Sequence, residues 1–305
     1  MKDCRLKYFN IAFFASIMFG LSLATHKLET VFKLTHYSIY LLYFTWIFFL
    51  IVSMAYLCKM ILNFDDVKND FSHPVKSNFF PGIKILIIFS ICFLNIHQGI
   101  ANWFWISVAI QSIFTIIIFR RWILHPMEIK SMNPLWFLPI VGNMLAAVSV
   151  QLGYVELSRF FFSVFIMWAV LFVIIMNRII FHNPLPQKLM PTLFILIAPP
   201  AILIATTILN EITELGKMLY YFSLFMFIII ISKINILFKL KFFMSWWAYS
   251  FPMAALTIAT TLFYDKTFCF MKYLSIIFYI ILVLIIILFY RTIIFNRREL
   301  CIEEE

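Results

Sequence analysis

The chain is read as an all-helical integral membrane protein of ten transmembrane helices, on three observations. Hydrophobic residues make up 64% of its 305 residues and charged residues 12%, against roughly 25% charged in a soluble domain, and the mean hydropathy is +0.99. Ten apolar segments approach the about 20 residues that cross a hydrocarbon core of roughly 30 Å. Every proline or glycine that interrupts one of them falls in an odd-numbered segment, never in an even-numbered one.

The segments follow in order. Segment one (8–24) comes after Lys2, Arg5 and Lys7 and contains Gly20, and segment two (36–61) is uninterrupted. Segment three (79–96) opens on Pro81-Gly82, and segment four (101–121) is again unbroken. Segment five (134–150) carries Pro139 and Gly142, segment seven (189–209) Pro199-Pro200 and segment nine (243–263) Pro252; segments six (156–177), eight (217–237) and ten (271–294) carry none. The whole chain, 1–305, is thereby taken up as a single transmembrane domain. Segments three, five, seven and nine start near 79, 134, 189 and 243, spacings of 55, 55 and 54. A two-helix repeat is the simplest cause, giving hairpins that start near 8, 79, 134, 189 and 243.

A helix of Phe, Ile and Leu can face lipid, whereas one bent in mid-membrane needs protein or a cavity around it, because freed carbonyls find no water in hydrocarbon. Five hairpins of one orientation therefore predict a pseudo-fivefold ring, odd helices lining a central pore and even helices forming the outer wall. Pro139 lacks the N–H that would bond the Leu135 carbonyl, and Pro199, Pro200 and Pro252 lack those for Ile195, Leu196 and Ala248. Each is expected to bend its helix and expose an oxygen. The plainer alternative is that membrane helices tolerate Gly and Pro in any case.

With the N-terminus inside, seventeen Lys and Arg lie on the cytoplasmic side. Six lie outside (Lys27, Lys33, Arg159, Lys217, Lys266 and Lys272), and Lys84 is within segment three. This positive-inside bias puts both termini in the cytoplasm. The net charge of +10 is thus mostly topology, and no nucleic-acid partner is expected. The first 24 residues also fit a secretory signal ending in Ser22-Leu23-Ala24, but its removal would strand the first member of the repeat, so retention is expected.

The stretches NPLWFLPIVGNMLAAVS at 133–149, LIAPPA at 196–201 and SWWAYSFPMAALTIAT at 245–260 resemble the tellurite-resistance/dicarboxylate transporter family. HPVKSNFF at 73–80 and FWISVAIQSIFTIIIFRRWI at 104–123 are similar to it as well. That family includes bacterial tellurite-resistance proteins and plant guard-cell slow anion channels. The resemblance implies ten helices as five hairpins around a pore, a homotrimer with one pore per subunit, small inorganic or organic anions as cargo, and a phenylalanine gate in the ninth helix. The matching motif here is Ser250-Phe251-Pro252, which makes Phe251 the gate candidate. An aromatic plug blocks ions by dewetting. The chain holds 38 Phe, and an arbitrary one would serve packing or lipid contact; the motif singles this one out.

The carboxylates fall in loops, tails or span ends, none in a membrane centre. Coupled carriers usually keep one there despite a cost of about 2.5–3.5 kcal/mol, so a passive channel is favoured. Lys84 either snorkels to the cytoplasmic interface or attracts anions at the inner mouth. Asn143 either bonds an anion or ties two helices together, the tie being its expected role. Asp65, Asp66 and Asp70 lack the second acidic cluster a diphosphate-magnesium site needs, and the loop 62–78 is read as solvated. The six histidines show no zinc pattern, with His97 kept as a candidate pH sensor. The five scattered cysteines are read as free thiols. No cofactor, metal or catalytic set is expected.

The function read from the sequence is an anion channel or channel-like exporter with a phenylalanine-gated pore. A secondary carrier for C4-dicarboxylates, sulfite or tellurite is the alternative, and a membrane scaffold is the third class. The long soluble tails through which the plant proteins are phosphorylated are not seen, so a bacterial inner-membrane protein is expected.

Overall fold

Long apolar runs free of Pro and Gly satisfy their backbone within the helix and form the longest elements of the fold. The computed structural model describes residues 18–35, 37–73, 76–78, 101–147, 154–207, 214–233, 235, 242–266 and 270–296. Among these, every regular element is an α or 3-10 helix. In chain order the α-helices are α1 (Phe19–Phe32), α2 (Ser38–Leu62), α3 (Phe64–Ser72), α4 (Ala101–Leu124), α5 (Leu138–Ala146), α6 (Val155–Ser163), α7 (Phe165–Phe181), α8 (Ala198–Thr207), α9 (Glu214–Ile231), α10 (Ser250–Lys266) and α11 (Phe270–Asn296).

Four described helices are long and apolar enough to cross a membrane: α2, the pair α6–α7 over Val155–Phe181, α9, and Phe270–Phe295 of α11. These are the even segments two, six, eight and ten. Their most apolar stretches are only 28%, 22%, 33% and 28% buried. Ile47, Leu50 and Met54 on α2 and Val170 and Val173 on α7 stand exposed, as a lipid-facing wall requires. The α6–α7 break at Val164 involves neither Pro nor Gly. There the Ser163 hydroxyl donates to the Phe160 carbonyl at 2.7 Å, a local competition that bends helices.

The odd segments are built differently. Every residue from Asn133 to Ala147, from Phe194 to Ile202 and from Pro252 to Phe263 is buried. Helix α1 packs on α10, α10 on α8, and α8 on α5, so segments one, nine, seven and five form a continuous inner arc. Helix α2 packs on α1, α4 and α7 on α5, α9 on α8, and α11 on α10. Segment three, with Pro81, Gly82 and Lys84, lies outside the described residues, as do His97 and the first part of segment one.

Two boundaries differ from expectation. Segment one continues to Phe32, because the polar residues after Ala24 are absorbed. Glu29, 4% exposed, accepts from the Tyr37 and Ser38 backbone N–H groups at 2.6 and 2.9 Å and so caps the start of α2. Thr25 donates to the Leu21 carbonyl and lies 2.8 Å from the Tyr279 hydroxyl of α11. The loop 62–78, read as solvated, contains α3, and Asp70 there is buried 2.8 Å from Lys59 of α2. A nine-residue helix laid against the span end hides a carboxylate that the flanking polar residues made look exposed.

Candidate pore-lining site

Segments five, seven and nine begin with the same local structure: a 3-10 stretch that becomes an α-helix at or beside the proline. The stretches are Pro134–Phe137, Gln187–Ile197 and Met244–Tyr249. Pro139 is the second residue of α5, Pro199 and Pro200 the second and third of α8, and Pro252 the third of α10. A proline is tolerated in the first turn of an α-helix.

The carbonyls that the prolines were expected to free are therefore not all free. The Leu135 oxygen accepts the Leu138 N–H and the Ile195 oxygen accepts the Ala198 N–H, one residue earlier than in an α-helix. In segment nine the Trp247 carbonyl takes both the Ser250 N–H and the Ser250 hydroxyl, the latter at 2.8 Å. The tighter 3-10 pitch absorbs the missing donors, so the expectation of a bare oxygen at Leu135 and Ile195 is corrected.

Asn143 directs its amide to the Thr115 hydroxyl of α4 at 2.7 Å and to the Pro139 carbonyl at 2.9 Å. The same carbonyl receives the Gln111 amide at 3.1 Å. The bond to Thr115 ties α5 to α4, whereas the bond to Pro139 lies within α5, four residues back. Gln111 and Thr115 were not singled out from sequence. Their signal was an i, i+4 polar pair inside an apolar span.

Gly20 sits where α1 meets α10. A Cβ built on it would lie 2.9 Å from the Ala254 Cβ, closer than side chains approach. Its role in the structure is close helix packing, three residues along α10 from Phe251. Phe251 itself is half-buried at the start of α10, packed on the surrounding apolar cluster. Among the described residues no other ring stacks on it. Other rings of segment nine are held: Tyr249 meets Phe194 at 4.7 Å, and Phe263 stacks on Tyr220 at 4.1 Å. Buried threonines line α10, with Thr257, Thr260 and Thr261 donating to carbonyls four residues back at 2.7–2.8 Å. Tyr220 of α9 reaches Thr260 at 3.1 Å.

The sequence profile of the voltage-dependent anion channel family, SLAC1, matches residues 8–293. The S-type anion channel SLAH2 of Arabidopsis thaliana is 32% identical over 255 residues, covering 80% of this chain and 49% of that protein. The guard cell S-type anion channel SLAC1 of the same plant is 28% identical, covering 70% and 42%. This chain thus spans half or less of the length of those relatives. An uncharacterized transporter of Methanocaldococcus jannaschii is 25% identical over 293 residues, covering 85% of this chain and 86% of its own length. The profile extends over both the lipid-facing helices and the inner arc, and the resemblance first carried by segments five, seven and nine holds across nearly the whole chain: it is a multi-pass membrane protein of the voltage-dependent anion channel family.

Proposed function

We propose that this protein provides a passive path for small anions, through a pore that its odd-numbered segments surround and that Phe251 occludes. The observation that carries the reading is the partition of the helices. Four exposed apolar spans stand outside, and segments one, nine, seven and five lie side by side within. The place between segments five and one suits segment three, which would complete a ring of five hairpins in one domain. In this reading Pro139, Pro199, Pro200 and Pro252 shape the lumen by fixing where 3-10 turns into α-helix. Gly20 allows close approach to Ala254, Gly142 is a further candidate for shaping the pore, and Lys84 is the candidate charge for its inner mouth. Small anions are the cargo because the plant relatives are named as anion channels. A homotrimer in a bacterial inner membrane, with both termini cytoplasmic, is the assembly that goes with it.

Phe251 supports the gate role by its position and its freedom. It starts α10 beside Pro252, and no ring clamps it among the described residues. A plug must leave the axis to open, and packing without a stacking partner permits that. The test is anion flux in liposomes. A channel gives currents that follow the anion gradient and persist without a proton gradient, whereas saturable, proton-dependent flux would assign the protein to the carrier class instead.

A further inference from the structure

Arg178 lies near the C-terminal end of α7, on the buried stripe that includes Trp168, Leu171 and Ile175, and is itself only 4% exposed. Its Nε donates to the Ile129 carbonyl at 3.0 Å and its Nη1 to the Asn183 carbonyl at 2.5 Å. These acceptors belong to the connections that lead into segments five and seven. Among the described residues no carboxylate comes within ion-pair distance of Arg178. Glu128, next to Ile129, is exposed and forms no pair with it. Lys59, buried to the same degree on α2, has Asp70 at 2.8 Å.

That contrast matters. Carbonyl oxygens satisfy two donors of the guanidinium but cancel no net charge, and a buried cation without a counterion is costly. Among the described residues the Nη2 group takes part in no hydrogen bond, and it is not among the polar atoms sealed off by protein. The planar fork of an arginine fits a phosphate edge-on. Positive-inside orientation puts this end of α7 at the inner headgroup level, with Lys130 in the 3-10 turn Ile129–Ser131 and Lys188 at the start of the 3-10 stretch Gln187–Ile197, both exposed. Val173, Ile180 and Phe181 on the same helix are 67%, 62% and 73% exposed and offer a surface for acyl chains.

We propose that Arg178 anchors a phosphate-binding site at the cytoplasmic face, whose ligand is the phosphodiester of an anionic phospholipid headgroup. Basic pockets between helices on this side of a membrane hold such headgroups. The proposal rests on the cytoplasmic placement in the functional reading above, and it is independent of whether the protein conducts.

The experiment is native mass spectrometry and thermal unfolding of the purified full chain in detergent, titrated separately with phosphatidylglycerol, phosphatidylcholine and inorganic phosphate. Phosphatidylglycerol is expected to stay bound to the wild type in preference to phosphatidylcholine and to raise its unfolding midpoint. Arg178→Gln is expected to weaken that binding at least about tenfold, the loss of one charge-assisted hydrogen-bonded contact. Arg178→Lys should fall between, and Lys130→Ala should change binding less than about threefold, as an exposed charge does. A response to inorganic phosphate without lipid preference supports the site and assigns it to a soluble phosphate. Equal lipid affinity in wild type and Arg178→Gln overturns the proposal. So does a wild type that neither prefers the anionic lipid nor responds to phosphate, a result that stands even if the variants fail to fold.

Discussion

At the scale of single residues, the packing of the inner helices turns on contacts too close or too polar to be incidental. Gly20 leaves room for Ala254 at a separation where two Cβ atoms would stand 2.9 Å apart. Gly20→Val is therefore expected to destabilise the protein by about 1–3 kcal/mol through overpacking, and to raise basal anion leak by shifting α10 near Phe251. Ala254→Gly should restore part of both, measured as a double-mutant cycle in thermal stability alongside liposome flux; additive effects would show that the two residues do not share the contact. Asn143→Ala removes two donors to Thr115 and Pro139. The expected loss is about 0.6–1.7 kcal/mol in an unfolding titration, the range for polar ties in membranes, with anion selectivity unchanged. A change in selectivity would mean that Asn143 touches the ion. A polar amide in an apolar span made Asn143 readable as a tie between helices. Its partners went unread because an i, i+4 pair such as Gln111 and Thr115 states no direction until the neighbouring helix is placed.

At the scale of elements, the prolines and the buried ion pair set the local rules. Because Pro139 and Pro252 lie in the first turn of their α-helices, Pro252→Ala is expected to cost less than about 1 kcal/mol, not the roughly 3 kcal/mol of a mid-helix proline effect. Chemical unfolding of the variant checks this, and a large change of either sign would contradict the 3-10-to-α junction. Asp70→Asn removes the carboxylate 2.8 Å from the buried Lys59 and is expected to cost about 3–5 kcal/mol. Lys59→Met with Asp70→Leu should recover most of that, and failure to recover would show that the pair does more than neutralise itself. The interruptions of segments five, seven and nine were legible in advance, because Pro and Gly are punctuation in any helix, but the break of segment six at Val164 was not, since neither residue marks it. The 3-10 stretches were not, since no residue type marks a change of pitch. Helix α3 was missed because Asp65, Asp66, Lys68 and Asp70 look like a solvated run until one of them finds Lys59.

At the scale of the whole molecule, the helices sort into an exposed apolar wall and a buried inner arc, which is the arrangement a membrane pore needs. Composition made the exposed apolar wall visible in the sequence, and the family resemblance made the anion reading visible. The order of the inner arc, one, nine, seven and five, was implied by a ring but needed the packing of α1 on α10 and of α8 on α5 to be seen. The gate stands apart as a claim about function. The measurement that tests it most directly is anion conductance of wild type and Phe251→Ala in planar bilayers, under chloride and nitrate gradients with a pH gradient as control. The account predicts a rise in anion-selective current of an order of magnitude or more when the ring is removed, reversing with the anion gradient and indifferent to the proton gradient. A well-folded variant that conducts no more than the wild type would contradict it.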